Sequence, residues 1–259
     1  MDFSELSHQR EIRDSLSKIF SEKCSPEKLK KYDNGFKHDG DLYKFLATNG
    51  YLGLGINEKL NGSGEDLYDL GILFECLGFH AAPLCLTGCL VDVAQTLQKF
   101  SKNDNHQSIV SSITKGEIYT SAILEPLNHD PENPTTTAVF DDDKIIINGS
   151  KYLSEISSLA KSILISASSN KGVILALVKT DNVKLTQLTS TANSPLFKVE
   201  LKNVSIEESD VVHEEGHGLE ALKYLLQINM VMRSYIALGV TNKMTSLIAS
   251  YTSEREQFG

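Results

Sequence analysis

Three features of this 259-residue sequence predict an α+β fold: an N-terminal helical domain (1–117), a middle antiparallel β-barrel or sandwich domain (118–212), and a C-terminal helical segment (213–259) whose one long helix needs neighbours to pack against. Apolar residues at helical spacing fill the first third. Short β-branched runs parted by turn residues fill the middle. From 220 to 254 a stretch rich in Leu, Ile and Met contains no proline and one internal glycine, Gly239.

In the N-terminal third, Leu6, Ile12, Leu16, Ile19 and Phe20 recur near helical spacing behind Ser4, which is expected to cap the first helix. Pro26 ends that helix or starts the next. Residues 41–48 place Leu42, Phe45 and Leu46 on one side of a second helix, and Asn49-Gly50 supplies its stop. The glycines of 50–55 and of Asn61-Gly62-Ser63-Gly64 match neither common nucleotide-binding fingerprint, so a turn-rich connector is expected there. Leu67, Leu70, Phe74 and Leu77 mark a helix closing at Gly78, Pro83 opens another through Leu97, and 108–115 forms one more.

The middle begins with Val139-Phe140 and Ile145-Ile146-Ile147, separated by the turn-prone Asp141-Asp142-Asp143 and followed by Asn148-Gly149, a hairpin signature. Residues 162–167, 172–178 and 197–201 are further strands. The helix over 220–254 would be about 50 Å long. It carries more apolar surface than the preceding domains should shield, and with the sequence closing at Gly259, a further segment or another chain is expected to cover it.

A net charge of −9 without a Lys/Arg cluster leaves no footprint for a nucleic-acid backbone. Neither a basic-then-apolar leader nor an apolar run of membrane-spanning length is present, so a soluble, cytoplasmic protein is expected. Four scattered cysteines read as reduced core thiols, including Cys85 and Cys89 one helical turn apart. His213-Glu214-Glu215-Gly216-His217 satisfies the HExxH zinc pattern. Gly216 and Gly218 weaken a helix there, so a solvated loop without metal is expected. Asp141-Asp142-Asp143 reads as an acidic turn rather than a calcium loop.

Five stretches, in order, carry a resemblance. They are Leu46 to Leu54 with Asn61-Gly62-Ser63-Gly64; Phe74-Glu75-Cys76-Leu77-Gly78 with Ala82-Pro83; Lys115-Gly116-Glu117 through Leu124-Glu125-Pro126, with Ile147-Asn148-Gly149-Ser150-Lys151; Lys202-Asn203-Val204-Ser205-Ile206 with Gly216-His217-Gly218; and the terminal Tyr251-Thr252-Ser253-Glu254-Arg255-Glu256-Gln257-Phe258-Gly259. Together they resemble the acyl-CoA dehydrogenase family over nearly the whole chain, the last stretch resembling the close of the first long C-terminal helix. The resemblance implies oxidation of an acyl-CoA thioester between Cα and Cβ, with FAD as hydride acceptor, in a homo- or hetero-oligomer. It places the flavin ring beside Ile123 and Leu124 and beside Leu153, Ser154 and Glu155. Arg255 and Phe258 would reach the FAD of a neighbouring subunit, and Asp130 falls in a substrate-binding stretch.

The sequence departs from the family pattern at the flavin wall. Leu124 replaces the usual threonine, Leu153-Ser154-Glu155 replaces an aromatic-x-threonine, and His129-Asp130-Pro131 replaces a glycine, serine, aspartate run. Most relatives carry the catalytic carboxylate beyond the point matching Gly259. A minority place it at the position of Asn229, an amide, and Glu220 lies ~13 Å away along the helix. The catalytic base is therefore expected beyond Gly259, and the alternative function is that of a degenerate, non-catalytic subunit partnering an active chain.

Overall fold

A computed structural model describes residues 4–32, 36–64, 66–141 and 144–257. Helix α1 (Ser7–Lys23) buries Leu16 and Phe20, one turn apart, against helix α4 (Leu67–Phe79). Its N-cap is Leu6 rather than Ser4, because the Gln9 side chain reaches back to accept from the Leu6 N–H at 3.0 Å. Helix α2 (Pro26–Leu29) has Pro26 at its first turn, where a missing N–H costs nothing. Helix α3 (Gly40–Thr48) is capped by Asp39, which accepts from the N–H groups of Asp41 and Leu42. The connector after it turns back on itself: a Cβ on Gly62 would lie 1.9 Å from the Ile56 carbonyl oxygen.

The helix expected from Pro83 begins only at Thr87, and Thr87–Gln95 is π-helical before helix α5 (Thr96–Phe100) resumes the ordinary winding. Gly88 presses this segment against the first strand: a Cβ there would meet Thr120 Oγ1 at 2.5 Å. Helix α6 (Asp104–Thr114) starts four residues earlier than its apolar pattern suggests, since Asn103 supplies the cap.

Strands β1 (Thr120–Ala122), β2 (Thr137–Asp141), β3 (Lys144–Glu155), β4 (Ser162–Ser169), β5 (Gly172–Lys179), β6 (Lys184–Leu188) and β7 (Leu196–Glu207) form one sheet. Its order is β1-β4-β2-β3-β7-β6, with β5 paired to β4. Helices thus flank a β unit as expected, but the sheet is mixed rather than wholly antiparallel. Both β1 and β2 run parallel to β4, because the loop between them carries the chain back to the end of the sheet at which β1 began. The register of β3 against β7 shifts between Lys151 and Ser154, and Leu153 in that bulge has φ +58°. Asp142 and Asp143 of the acidic turn lie outside the described residues.

Helix α7 (Gly218–Glu254) crosses α4 with backbones nearly touching. A Cβ on Gly239 would sit 2.0 Å from the Glu75 carbonyl oxygen, and one on Gly78 2.2 Å from that of Ile236. This explains why the single glycine inside the long helix faces the "Glu-Cys-Leu-Gly" stretch. The first half of α7 buries Ala221, Leu222, Leu225, Ile228 and Met232; the second leaves Leu238, Met244, Leu247, Ile248 and Tyr251 largely exposed. No helix among the described residues is long and apolar enough to cross a membrane.

Candidate active site

A cavity of about 420 Å³ opens where the exits of β1 and β3, the π-helical turn and the first half of α7 converge. That volume lies in the range of small-molecule sites. One wall is apolar, formed by Ile123, Leu124, Leu153 and Leu196, with Leu225 and Leu226 from α7. Leu124 and Leu153 are 45% and 43% exposed, so this wall presents uncovered apolar surface to the opening.

A buried ion pair holds that wall in shape. Lys151 Nζ lies 2.7 Å from Glu125 and also donates to Ser166 Oγ at 3.0 Å and the Ile123 carbonyl at 3.3 Å. Glu125 accepts further from the Thr135 N–H and hydroxyl, both at 2.6 Å, and from the Thr136 N–H at 2.8 Å. Burial works to raise the Glu125 carboxyl, but Lys151 and these threonine donors outweigh it and hold the group well below the usual carboxylate range. The Glu-Pro and Asn-Gly-x-Lys stretches are thus joined by one satisfied charge pair. Gly149 has the same structural purpose, since a Cβ there would stand 2.5 Å from Thr136 Oγ1.

The rest of the lining is polar. The π-helical segment turns Asp92 into the cavity, where Oδ2 accepts from Ser121 Oγ at 2.5 Å and Oδ1 from Asn229 Nδ2 at 2.7 Å. Asn229 Oδ1 in turn accepts from Arg233 Nε at 2.8 Å, and Arg233 pairs with Glu155 at 3.2 Å. Burial pushes the Asp92 carboxyl up to about 7; the hydrogen bonds from Asn229 and Ser121 offset only part of that effect. An extended π-helical stretch is uncommon and recurs at functional sites.

Of the site residues expected from sequence, Ile123, Leu124 and Glu155 all line this cavity. Ser154 stands behind the wall: fully buried, it donates to the Ser121 carbonyl at 2.6 Å and accepts from Ser157 Oγ at 2.7 Å. Asp130 lies in the exposed turn before β2, donating nothing to the cavity and accepting from Asn133 Nδ2 and the Glu132 N–H. Arg255 is exposed just past α7, beside the Tyr251 hydroxyl, and Phe258 lies outside the described residues. Sequence reasoning missed Asp92, Ser121 and Arg233. Asp92 carried one available signal, a charged residue inside the apolar run Cys89 to Ala94.

The HExxH stretch forms a turn rather than a helix, as its glycines suggest. His213 Nε2 accepts from the Leu175 N–H at 3.0 Å, so its lone pair already serves the sheet, while His217 faces Glu220 at 3.0 Å. Cys89 is buried and Cys85 nearly so; burial raises their thiols to about 11 and about 12, which leaves both inert as nucleophiles.

Residues 7–117 match the family described as "Acyl-CoA dehydrogenase, N-terminal domain". Acyl-CoA dehydrogenase FadE28 of Mycobacterium tuberculosis is 20% identical over the whole chain, which covers 68% of that protein. Among solved structures, the ChsE4-ChsE5 complex from Mycobacterium tuberculosis superposes with a TM-score of 0.91 at 22% identity, covering 100% of this chain and 70% of that one. PigA with FAD and proline gives a TM-score of 0.91 at 20% identity, covering 100% and 72%.

Proposed function

We propose that this chain is a member of the acyl-CoA dehydrogenase family, a flavoprotein subunit oxidising an acyl-CoA thioester between Cα and Cβ. The observation that carries this reading is the cavity itself, which unites Ile123, Leu124 and Glu155 with the start of α7. Its residues suit FAD, the cofactor of the family: the exposed apolar faces of Leu124 and Leu153 match the flat body of a flavin ring. When bound, FAD supplies the acceptor for the hydride leaving Cβ.

The chain's own residues divide the remaining work. Ile123, Leu124 and Leu153 hold the ring's apolar body, Ser154 fixes the wall behind them, and Glu155 is oriented by Arg233. Arg255 and Phe258 are assigned to the FAD of a neighbouring subunit, and Asp130 to the substrate side of the exposed turn. Asn229 takes no proton, because its Nδ2 donates to Asp92 and its Oδ1 accepts from Arg233. Asn229 is therefore not the group that takes the α-proton.

A second reading, a non-catalytic subunit that shapes an active partner, draws on the outer half of α7. Met244, Leu247, Ile248 and Tyr251 there form an exposed apolar strip of the kind that meets another chain. The test is reconstitution of the full chain with FAD, gel filtration, and a dye-coupled assay across acyl-CoAs with and without an active family member. A retained flavin band supports the flavoprotein reading, and colourless protein refutes it. Acyl-CoA oxidation that rises only with the partner, without flavin on this chain, selects the second.

A further inference from the structure

The polar wall of the cavity is poorly suited to an aliphatic chain. Asp92, Ser121, Asn229, Arg233 and Glu155 line or face the space left beside the apolar wall. Two of these charges answer each other: Arg233 pairs with Glu155 and spends its Nε on Asn229. Asp92 differs. It is buried and forms no ion pair among the described residues, and its two oxygens receive one neutral hydrogen bond each. A carboxylate offers about four lone-pair sites, so roughly two remain for a ligand.

Those two sites belong to a group delivered into the cavity by the backbone itself. Gly88 seats the π-helical segment on β1, and one turn later Asp92 meets Ser121 of β1 and Asn229 of α7. Both partners donate and neither carries charge, an arrangement that orients the carboxylate without neutralising it. An aliphatic tail lying against it would remove water from the free lone pairs and return nothing, which costs affinity. A hydroxyl or amino group would occupy them.

We propose that Asp92 is a specificity-determining residue that selects acyl groups bearing a hydrogen-bond donor, hydroxyl or amino, over plain aliphatic ones. This rests on the assignment of the cavity to the acyl thioester and its flavin. The discrimination should be large, because a site built to hydrogen-bond a substrate group rejects the analogue lacking it far more strongly than an apolar pocket separates two sizes.

The test is calorimetric titration of the full chain, loaded with FAD, with butyryl-CoA, 3- and 4-hydroxybutyryl-CoA and 4-aminobutyryl-CoA, for the parent, Asp92→Asn and Asp92→Leu. The parent should bind at least one donor-bearing thioester at least about tenfold more tightly than butyryl-CoA. Asp92→Leu should reverse that order. Asp92→Asn can keep both hydrogen bonds to Ser121 and Asn229, so it separates loss of the carboxylate from loss of the fold. It should retain preference for hydroxyl but lose any for the cationic amino group, which identifies the donor class. Equal binding of all thioesters, with a ranking unchanged in both variants, overturns the proposal and leaves the functional assignment intact. Failure of the parent to bind any thioester overturns both.

Discussion

Glu125 and Asp92 are two carboxylates buried within one small region, and the protein treats them in opposite ways. Glu125 has a cation and four further donors from Thr135, Thr136 and Asn128; Asp92 has two neutral donors. The first is held ionised, whereas the second is raised from 3.8 to about 7. Burial alone therefore does not decide the state of an acid; the number and charge of its donors do. A group satisfied on every side fixes structure. One left partly unsatisfied beside an opening is available to a ligand.

The largest effect should come from making Glu125 resemble Asp92. Lys151→Met removes the cation while preserving length, leaving a buried carboxylate with neutral donors only. Breaking a buried pair in this way costs roughly 3–5 kcal/mol. In the parent, the depressed Glu125 contributes stability that is fully present above its ordinary value of 4.5 and is lost progressively as pH falls from there through its folded value, well below the usual carboxylate range. In the variant that contribution shrinks, so urea midpoints of the two proteins should differ most at pH 7, by less at pH 4, and converge only in stronger acid. A constant gap would show that Lys151 acts through packing alone.

A smaller effect of opposite sign is expected at the other acid. Because the folded value of Asp92 is raised, its contribution is fully present below 3.8 and lost as pH rises through about 7. Asp92→Asn removes an ionisation that opposes folding. The variant should be more stable than the parent at pH 8 by roughly 2 kcal/mol, a figure set below the full linkage value because the site relaxes around the charge. Near pH 4 the two should melt alike. Such a gain on losing a polar residue is the usual mark of a position retained for function.

The same contrast governs what the sequence revealed. Most helices and strands were legible because Leu16 with Phe20 writes a buried helix face into spacing and Ile145-Ile146-Ile147 before Asn148-Gly149 writes a strand and its turn into composition. The cavity-lining Ile123 and Leu124 were legible through Glu125-Pro126 and Asn148-Gly149-Ser150-Lys151, whose ion pair fixes their neighbours in place. The π-helical winding of Thr87–Gln95 was not, since its apolar residues fit an ordinary helix equally well and the deciding contact, Gly88 on Thr120, lies 32 residues away along the chain. Without that winding Asp92 reads as a stray charge in a core helix. The parallel pairing of β1 with β4 was hidden for the same reason, being set by a long-range contact rather than by a turn.

The smallest effect sharpens the contrast most. Ser121→Ala deletes one of the two donors to Asp92 and leaves Asn229 as the other. A hydrogen bond to a charged acceptor is worth more than one to a neutral acid, so the loss should depend on whether Asp92 is ionised. Below about pH 5 the carboxyl is protonated and the deficit should be slight. Above pH 8 it is ionised, and the deficit should grow to about 1–2 kcal/mol. By linkage the Asp92 titration itself moves upward, because the charged form has lost the hydroxyl that favoured it. The carboxyl stretch in infrared difference spectra follows that titration directly, with Asp92→Asn identifying the band. Glu155 and Arg233, the other charged groups facing Asp92, are untouched by the substitution, so a band that does not shift would mean that Ser121 packs beside Asp92 without donating to it.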